Sequence, residues 1–231
     1  PGGWMHLREQ IAVADTVGID RVVMSDHVVF GDDLSAYGDP SAGGQAGGRQ
    51  PTGPDGHWLE PFTVMSWGAG FTEHVRFSTN ILLAALRRPV VLAKQLATLD
   101  VLSGGRIDVG VGVGWQRAEY DAAGLDYERR GALLDHTLSV CAELWRDGAA
   151  SVDDEFLQFE RVHQMPLPTR TGGVPIWVAG TVNPRMLRRL ARFGGCRCRW
   201  VGQVRHRNGD AQVEPLVGGG CHDEGVPPGR A

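Results

Sequence analysis

Apolar and polar positions alternate strictly over residues 106–115, RIDVGVGVGW: Ile107, Val109, Val111 and Val113 are separated by Asp108, Gly110, Gly112 and Gly114. Period two predicts a strand. Glycine at every second position strips one face of side chains, so that another backbone or a ligand can approach closely. Where this strand ends, Gly112, Val113 and Gly114 offer backbone N–H groups in the manner of an anion-binding nest. Tight packing of a helix on the bare face is the competing reading.

Elsewhere the period is helical. Trp4, Leu7, Ile11, Ala14 and Val17 predict a first helix, with Gly18 as its C-terminal cap. Residues 20–25 (DRVVMS) predict a short buried strand, with Asp26 and His27 at its end. A helix placed before this strand implies an earlier strand from which it crosses over. A polar, glycine-rich stretch follows over residues 31–57, long enough to be a lid over a site. Pro61 opens a second helix whose face is Phe62, Met65, Ala69 and Thr72, and residues 76–84 predict a second strand. Pro89 opens the third helix, faced by Leu92, Leu96, Leu99 and Leu102 and ended by Gly104 and Gly105. A loop after Trp115 leads to a fourth helix on Leu134, Leu138, Cys141 and Trp145. Residues 151–168 include a short hairpin around 156–159, and residues 174–179 (VPIWVA) form another buried strand. Asn183 and Pro184 then start a fifth helix on Met186, Leu187, Leu190 and Ala191.

Alternating strands and helices argue for an α/β protein with a parallel sheet. The pattern fits an open doubly wound sheet or a closed eight-stranded barrel. Either fold binds ligands at the carboxyl ends of its strands, where Asp26, His27, Gly112–Gly114 and the segment from Gly180 to Asn183 all fall.

Composition narrows the partners. The 231 residues are 42% hydrophobic and 22% charged, with a net charge of −4, which gives no reason to expect nucleic acid or an anionic membrane. No apolar run reaches the length of a membrane span, and the default compartment is the cytoplasm. Four cysteines in a chain this long make no disulfide framework. A zinc site on Cys196, Cys198, His206 and Cys221 is disfavoured by the C-x-C spacing, and no resident metal is expected. From residue 195 to 231 neither period survives, and Arg, Gly, Pro, Val and Cys dominate. Such a composition matches a GC-rich coding region read in a shifted frame. The chain therefore divides into residues 1–194, a partial barrel domain, and 195–231, an irregular tail.

Four segments carry a resemblance to a known family: SDHVV at 25–29, RRPVVLAKQLATLDVLSGGR at 87–106 with the VGVGVGW that follows, and VPIWVAGT at 174–181. Together they resemble the luciferase-like monooxygenase superfamily, within it the bacterial oxidoreductases that use the deazaflavin coenzyme F420. The resemblance implies a (β/α)8 TIM barrel, of which this chain supplies strands two to five and helices one to five. It implies that Asp26 and His27 face the deazaflavin ring. Thr79 and Asn80 match the bulge where relatives carry a non-proline cis peptide. Gly112, Val113 and Gly114, with the backbone of Gly180, Thr181 and Val182 before a helix N-terminus, lie near the phosphate-bearing tail.

The implied chemistry is hydride transfer to or from a small organic substrate, with the cofactor supplying reactivity and the protein orientation and dryness. Histidine changes charge near neutral pH, so His27 is a usable general acid, although a histidine after a strand is more often structural. Asp26 has an alternative role in capping its loop. Arg87 and Arg88 read as a solvated pair, with an anionic coenzyme tail as the other option. Trp115 either walls the pocket or packs beneath the lid. His57, His74, His136 and His163 read as scaffold. An FMN-dependent monooxygenase is the alternative within the family, and an inactive barrel fragment the alternative outside it. A homodimer is consistent with both enzymatic readings.

Overall fold

The computed structural model describes residues 5–42, 44 and 47–194. The tail, with its cysteines and the supposed change of frame, lies outside the described residues.

Helix α1 (Met5–Thr16) leads into β1 (Arg21–Met24), α2 (Pro61–Ala69) into β2 (Arg76–Thr79), and α3 (Pro89–Leu102) into β3 (Val109–Val111). After α4 (Arg117–Ala122) and α5 (Arg130–Asp147) comes an antiparallel hairpin of β4 (Ala149–Asp153) and β5 (Gln158–His163), then β6 (Ile176–Val178) and α6 (Pro184–Phe193). Strand β1 runs parallel to β2 with Arg21 opposite Arg76, and β3 runs parallel to β6 with Val109 opposite Ile176. Parallel bridges from Phe77 to Ile107 and from Leu82 to Val111 join β2 to β3. The parallel strands therefore follow one another in the order β1, β2, β3, β6, each separated from the next by helix.

A parallel sheet twists, and on the face that it curls toward, the long Arg21 side chain of β1 lies 4.8 Å from the centre of the Trp177 ring on β6. Between them the buried Asp108 carboxylate accepts Arg21 at 2.8 Å, Arg76 at 2.7 Å and Arg170 at 3.4 Å. One carboxylate with three guanidiniums fills the concave face at the amino ends of the strands.

Helices cover the convex face. Leu92, Leu96 and Leu99 of α3 are buried against α5, whose Leu134, Leu138, Cys141 and Trp145 are buried in turn. The Trp145 indole N–H donates to the Ala93 carbonyl at 3.1 Å, which satisfies the polar edge of a buried ring. Four expected core positions differ, among them Val17, 65% exposed beyond the end of α1, and Ala191, exposed on α6. Leu102 is 74% exposed because α3 ends there and the chain turns through Gly104 and Gly105, both at positive φ. On α6, Leu187 is half exposed, and Arg189 is buried instead, paired with Asp135 of α5 at 2.5 Å.

The strand expected over 76–84 stops at Thr79. Beyond it the Asn80–Ile81 peptide bond is cis, Leu82 rejoins β3 through a single bridge, and Ala84–Leu86 forms a 3-10 turn. The expected loop before the fourth helix holds a helix of its own, α4, too short for a stripe of apolar residues to reveal it. The hairpin expected around 156–159 is longer, spanning β4 and β5.

Candidate functional site

The carboxyl ends of β1 and β2 and the segment after β3 meet at one end of the curled sheet. The two acidic or basic residues that terminate β1 have different fates there. Asp26 is 4% exposed and uses both oxygens within the protein. Oδ2 accepts the Leu83 backbone N–H at 2.8 Å and an Arg87 N–H at 2.6 Å, and Oδ1 accepts a second Arg87 N–H at 3.0 Å. Arg87 also donates to Glu60 at 3.2 Å. Burial disfavours the Arg87 charge, but the hydrogen bonds and charge of Asp26, then those of Glu60, outweigh it and raise its pKa. The reading of Arg87 and Arg88 as a solvated pair is thus corrected for Arg87, whose side chain is 15% exposed. Arg88 is exposed and only leads into α3. A bidentate pair of this kind fixes geometry as well as charge. It ties the end of β1 to the segment after the cis bond.

His27 faces the other way, into an aromatic enclosure. Its ring centre lies 4.5 Å from Phe30, 4.9 Å from Trp58 and 5.9 Å from Trp115. Nδ1 sits 3.4 Å from both oxygens of Glu119, whose side chain is 1% exposed, and the same carboxylate accepts the Val28 N–H at 2.8 Å. A carboxylate beside one ring nitrogen orients the imidazole. Glu119 stands on α4, held by Tyr120, whose hydroxyl donates to the Val113 carbonyl at 2.6 Å and whose pKa is raised by burial. Trp115 is buried and walls the enclosure, with Tyr37 edge-on at 5.5 Å from the long loop.

Thr79 and Asn80 part company at the end of β2. Thr79 is buried and donates its hydroxyl to the Gly110 carbonyl at 2.8 Å, so its side chain belongs to the sheet. Asn80 is exposed beside the cis bond, and Ser25 Oγ donates to its carbonyl at 3.4 Å. The bare face of the glycine strand looks onto this segment. A Cβ on Gly110 would lie 2.1 Å from the Thr79 carbonyl oxygen; on Gly112, 2.6 Å from Ile81 Cδ1; on Gly114, 2.6 Å from Leu83 Cδ2. The close neighbour is therefore the chain after β2, and neither a helix nor an open cradle lies against these glycines. The Gly112 N–H donates to the Leu82 carbonyl at 3.3 Å.

The fourth expected contact point is open. Among the described residues no atom beyond its chain neighbours lies within 4 Å of where a Gly180 Cβ would be, and Gly180, Thr181 and Val182 are exposed just before α6. Asn183 caps that helix by accepting the Met186 N–H at 2.9 Å. Gly180 leaves more room for an anionic group than Gly112 or Gly114 do, because none of the described residues fills the space beside it.

Among the described residues no group of three or more His, Cys, Asp or Glu could hold a metal ion, and no helix is long and apolar enough to cross a membrane. His136 pairs with Asp154 at 2.9 Å, away from the site. Glu119, Phe30 and Trp58 were not legible as site residues in the sequence, and Arg87 was legible only as the alternative to a solvated pair. Glu119 is 92 positions from His27 on a six-residue helix with no periodic signal.

A sequence model of the luciferase-like monooxygenase family matches residues 1–196. The oxygenase component of a flavin-dependent trigonelline monooxygenase from Acinetobacter baylyi is 32% identical over 160 residues, covering 68% of this chain and 43% of that protein. Among solved structures, monooxygenase RslO1 from Streptomyces bottropensis superposes with a TM-score of 0.65 at 24% identity, over 82% of this chain and 51% of that one. An F420-dependent secondary alcohol dehydrogenase holding an F420-acetone adduct gives 0.62 at 21% identity, over 82% and 52%. These likenesses give the fold as the luciferase-like TIM-barrel type. The chain spans under half the length of the trigonelline enzyme and of other curated relatives that it matches.

Proposed function

The chain belongs to the luciferase-like monooxygenase family, and on that premise we propose that it forms strands two to five of a (β/α)8 barrel and serves an F420-dependent oxidoreductase. When bound, the deazaflavin supplies a ring carbon that gives or takes a hydride from a small organic substrate. The observation that carries the reading is His27, held on Nδ1 by the buried Glu119 within walls of Phe30, Trp58 and Trp115. Those walls exclude water, and Nε2 of His27 holds the proton that balances hydride transfer at the substrate. Asn80 and Ser25, exposed at adjacent strand ends, border the ring position. Backbone at Gly180, Thr181 and Val182, with Val113 beside them, receives the anionic tail. Asp26, Thr79, Gly112 and Gly114 act behind these groups: they lock the segment after β2 in place. The reading places the protein in the cytoplasm, as a homodimer.

Fluorescence titration with F420 and with FMN tests the cofactor, and His27→Gln tests the proton role. F420 binds in the wild type, and His27→Gln lowers turnover about 100-fold while leaving the coenzyme dissociation constant within about threefold. Retention of FMN with no affinity for F420 overturns the deazaflavin reading. It would favour an FMN-dependent monooxygenase, which the flavin-dependent relative at 32% identity supports. Failure to bind either cofactor favours a barrel fragment without catalytic activity, as the curled but short run of parallel strands allows. Soluble monomer with tight coenzyme binding excludes that fragment.

A further inference from the structure

The long segment between β1 and α2 begins and ends at His27: Phe30 and Trp58, on either side of it, stand 4.5 and 4.9 Å from the His27 ring centre. Between them the chain turns back on itself. The Gly44 N–H donates to the Asp39 carbonyl at 2.8 Å and the Gly47 N–H to the Gly38 carbonyl at 3.3 Å, while the Asp39 carboxylate accepts the Ser41 N–H at 2.8 Å. A stretch tied internally in this way is displaced as a unit. It meets the body of the protein at Trp115 and Tyr127. The Tyr37 ring lies edge-on to Trp115 at 5.5 Å, and the Tyr127 hydroxyl donates to the Ala42 carbonyl at 3.1 Å. The same hydroxyl lies 2.9 Å from the Trp115 carbonyl. Tyr127, in the turn before α5, is buried, and the guanidiniums of Arg117 and Arg130 lie over its ring at 4.5 and 3.9 Å.

We propose that Tyr127 is a positioning residue: its hydroxyl fastens the 31–57 segment to Trp115, the wall beside His27, and so sets how often that segment stands away from His27. A phenol carries one proton, shared here between two carbonyls. When the segment lifts, the proton stays with the Trp115 carbonyl and the Ala42 carbonyl passes to water. No buried donor is then left unpaired, so opening escapes that penalty. Closing adds one ordinary hydrogen bond and one aromatic contact, both modest, which makes the fastening reversible. That the closure serves a reaction at His27 rests on the oxidoreductase reading; the fastening itself does not.

Arg49 is the one lysine or arginine between Arg21 and Arg76, and it is exposed, so trypsin reads the segment at a single site. Cleavage tracks the population of the locally open form when opening is fast. The full chain is digested without coenzyme under native conditions, and the products are resolved by mass spectrometry. Tyr127→Phe, which keeps the ring under both guanidiniums, is expected to speed cleavage after Arg49 about two- to tenfold, the contribution of one hydrogen bond. Cleavage at the exposed Arg146 and Arg188, on α5 and α6, changes by less. Tyr37→Leu removes the aromatic contact from the segment's side, speeds the same cut about two- to tenfold, and serves where the phenylalanine variant misfolds. Unchanged cleavage after Arg49 in either folded variant overturns the proposal. So does an equal rise at all three sites with a lower urea midpoint, since the hydroxyl then supports the fold and not the closure. Neither readout involves coenzyme, so failure to bind F420 leaves the fastening standing and removes only the oxidoreductase reading.

Discussion

Breaking the Asp26–Arg87 pair is the perturbation that bears most directly on how the site is built. Asp26 has a side chain 1% exposed and Arg87 one 15% exposed, joined by contacts of 2.6 and 3.0 Å. Removing one partner of a buried pair costs about 3–5 kcal/mol, because the other charge is left without compensation. Asp26→Leu also strips the Leu83 N–H of its acceptor, whereas Arg87→Met leaves the carboxylate with that N–H alone. Replacing both by apolar groups, Asp26→Leu with Arg87→Met, removes both charges and leaves only the orphaned N–H, a loss of about 1–3 kcal/mol. Urea unfolding of the four proteins gives the cycle, with a constant m-value as the check on two-state behaviour. The double variant is expected to be more stable than either single one, with a coupling of about 3 kcal/mol or more. Single losses below about 1 kcal/mol, or additivity within about 0.5 kcal/mol, refute the account of Asp26 as an internally paired anchor. The double variant should also bind coenzyme more weakly, since the segment carrying Asn80 loses its tether.

Glu119→Gln keeps the shape but removes the charge behind His27; turnover should fall about tenfold to 100-fold, with a smaller change in coenzyme affinity, and an unchanged pH–rate profile would show that Glu119 does not act through His27. Gly114→Ala forces a side chain onto φ +73° and to within 2.6 Å of Leu83, so its denaturation midpoint should drop by the equivalent of about 2 kcal/mol or more; a neutral result would show that the segment after β2 yields freely. Asp15 accepts the N–H groups of Glu73, His74 and Val75 at 3.0, 2.8 and 2.6 Å. Its desolvation, which acts upward, is outweighed by these bonds, and its pKa lies below 3.8. A carboxylate depressed in the folded state stabilises it above the unfolded pKa, and that stabilisation is lost as pH falls through the folded value. Asp15→Asn should therefore lose stability at pH 6 but converge on the wild type toward pH 2–3; a constant gap across that range, seen in thermal melts, would contradict it.

Much of the framework was legible in the sequence because periodicity records burial, and burial is set locally by which face of an element meets the core. The alternation of strands and helices, the faces of α3 and α5, and the proline-opened starts of α2, α3 and α6 all follow from that rule. The glycine alternation in β3 marked a close approach but could not name the neighbour. Contact with Thr79, Ile81 and Leu83 depends on strand order and register, which no single element encodes. The same holds for charge. Asp26 and Arg87 are 61 positions apart, and His27 and Glu119 are 92 apart. Their pairing exists because the curl of the sheet brings the carboxyl ends of β1 and β2 and the start of α4 to one place. Sequence alone determined which residue types stand at the strand ends; tertiary structure decided which of them face each other and which are left facing a ligand, because long-range electrostatic and packing partners are chosen by topology rather than by spacing along the chain.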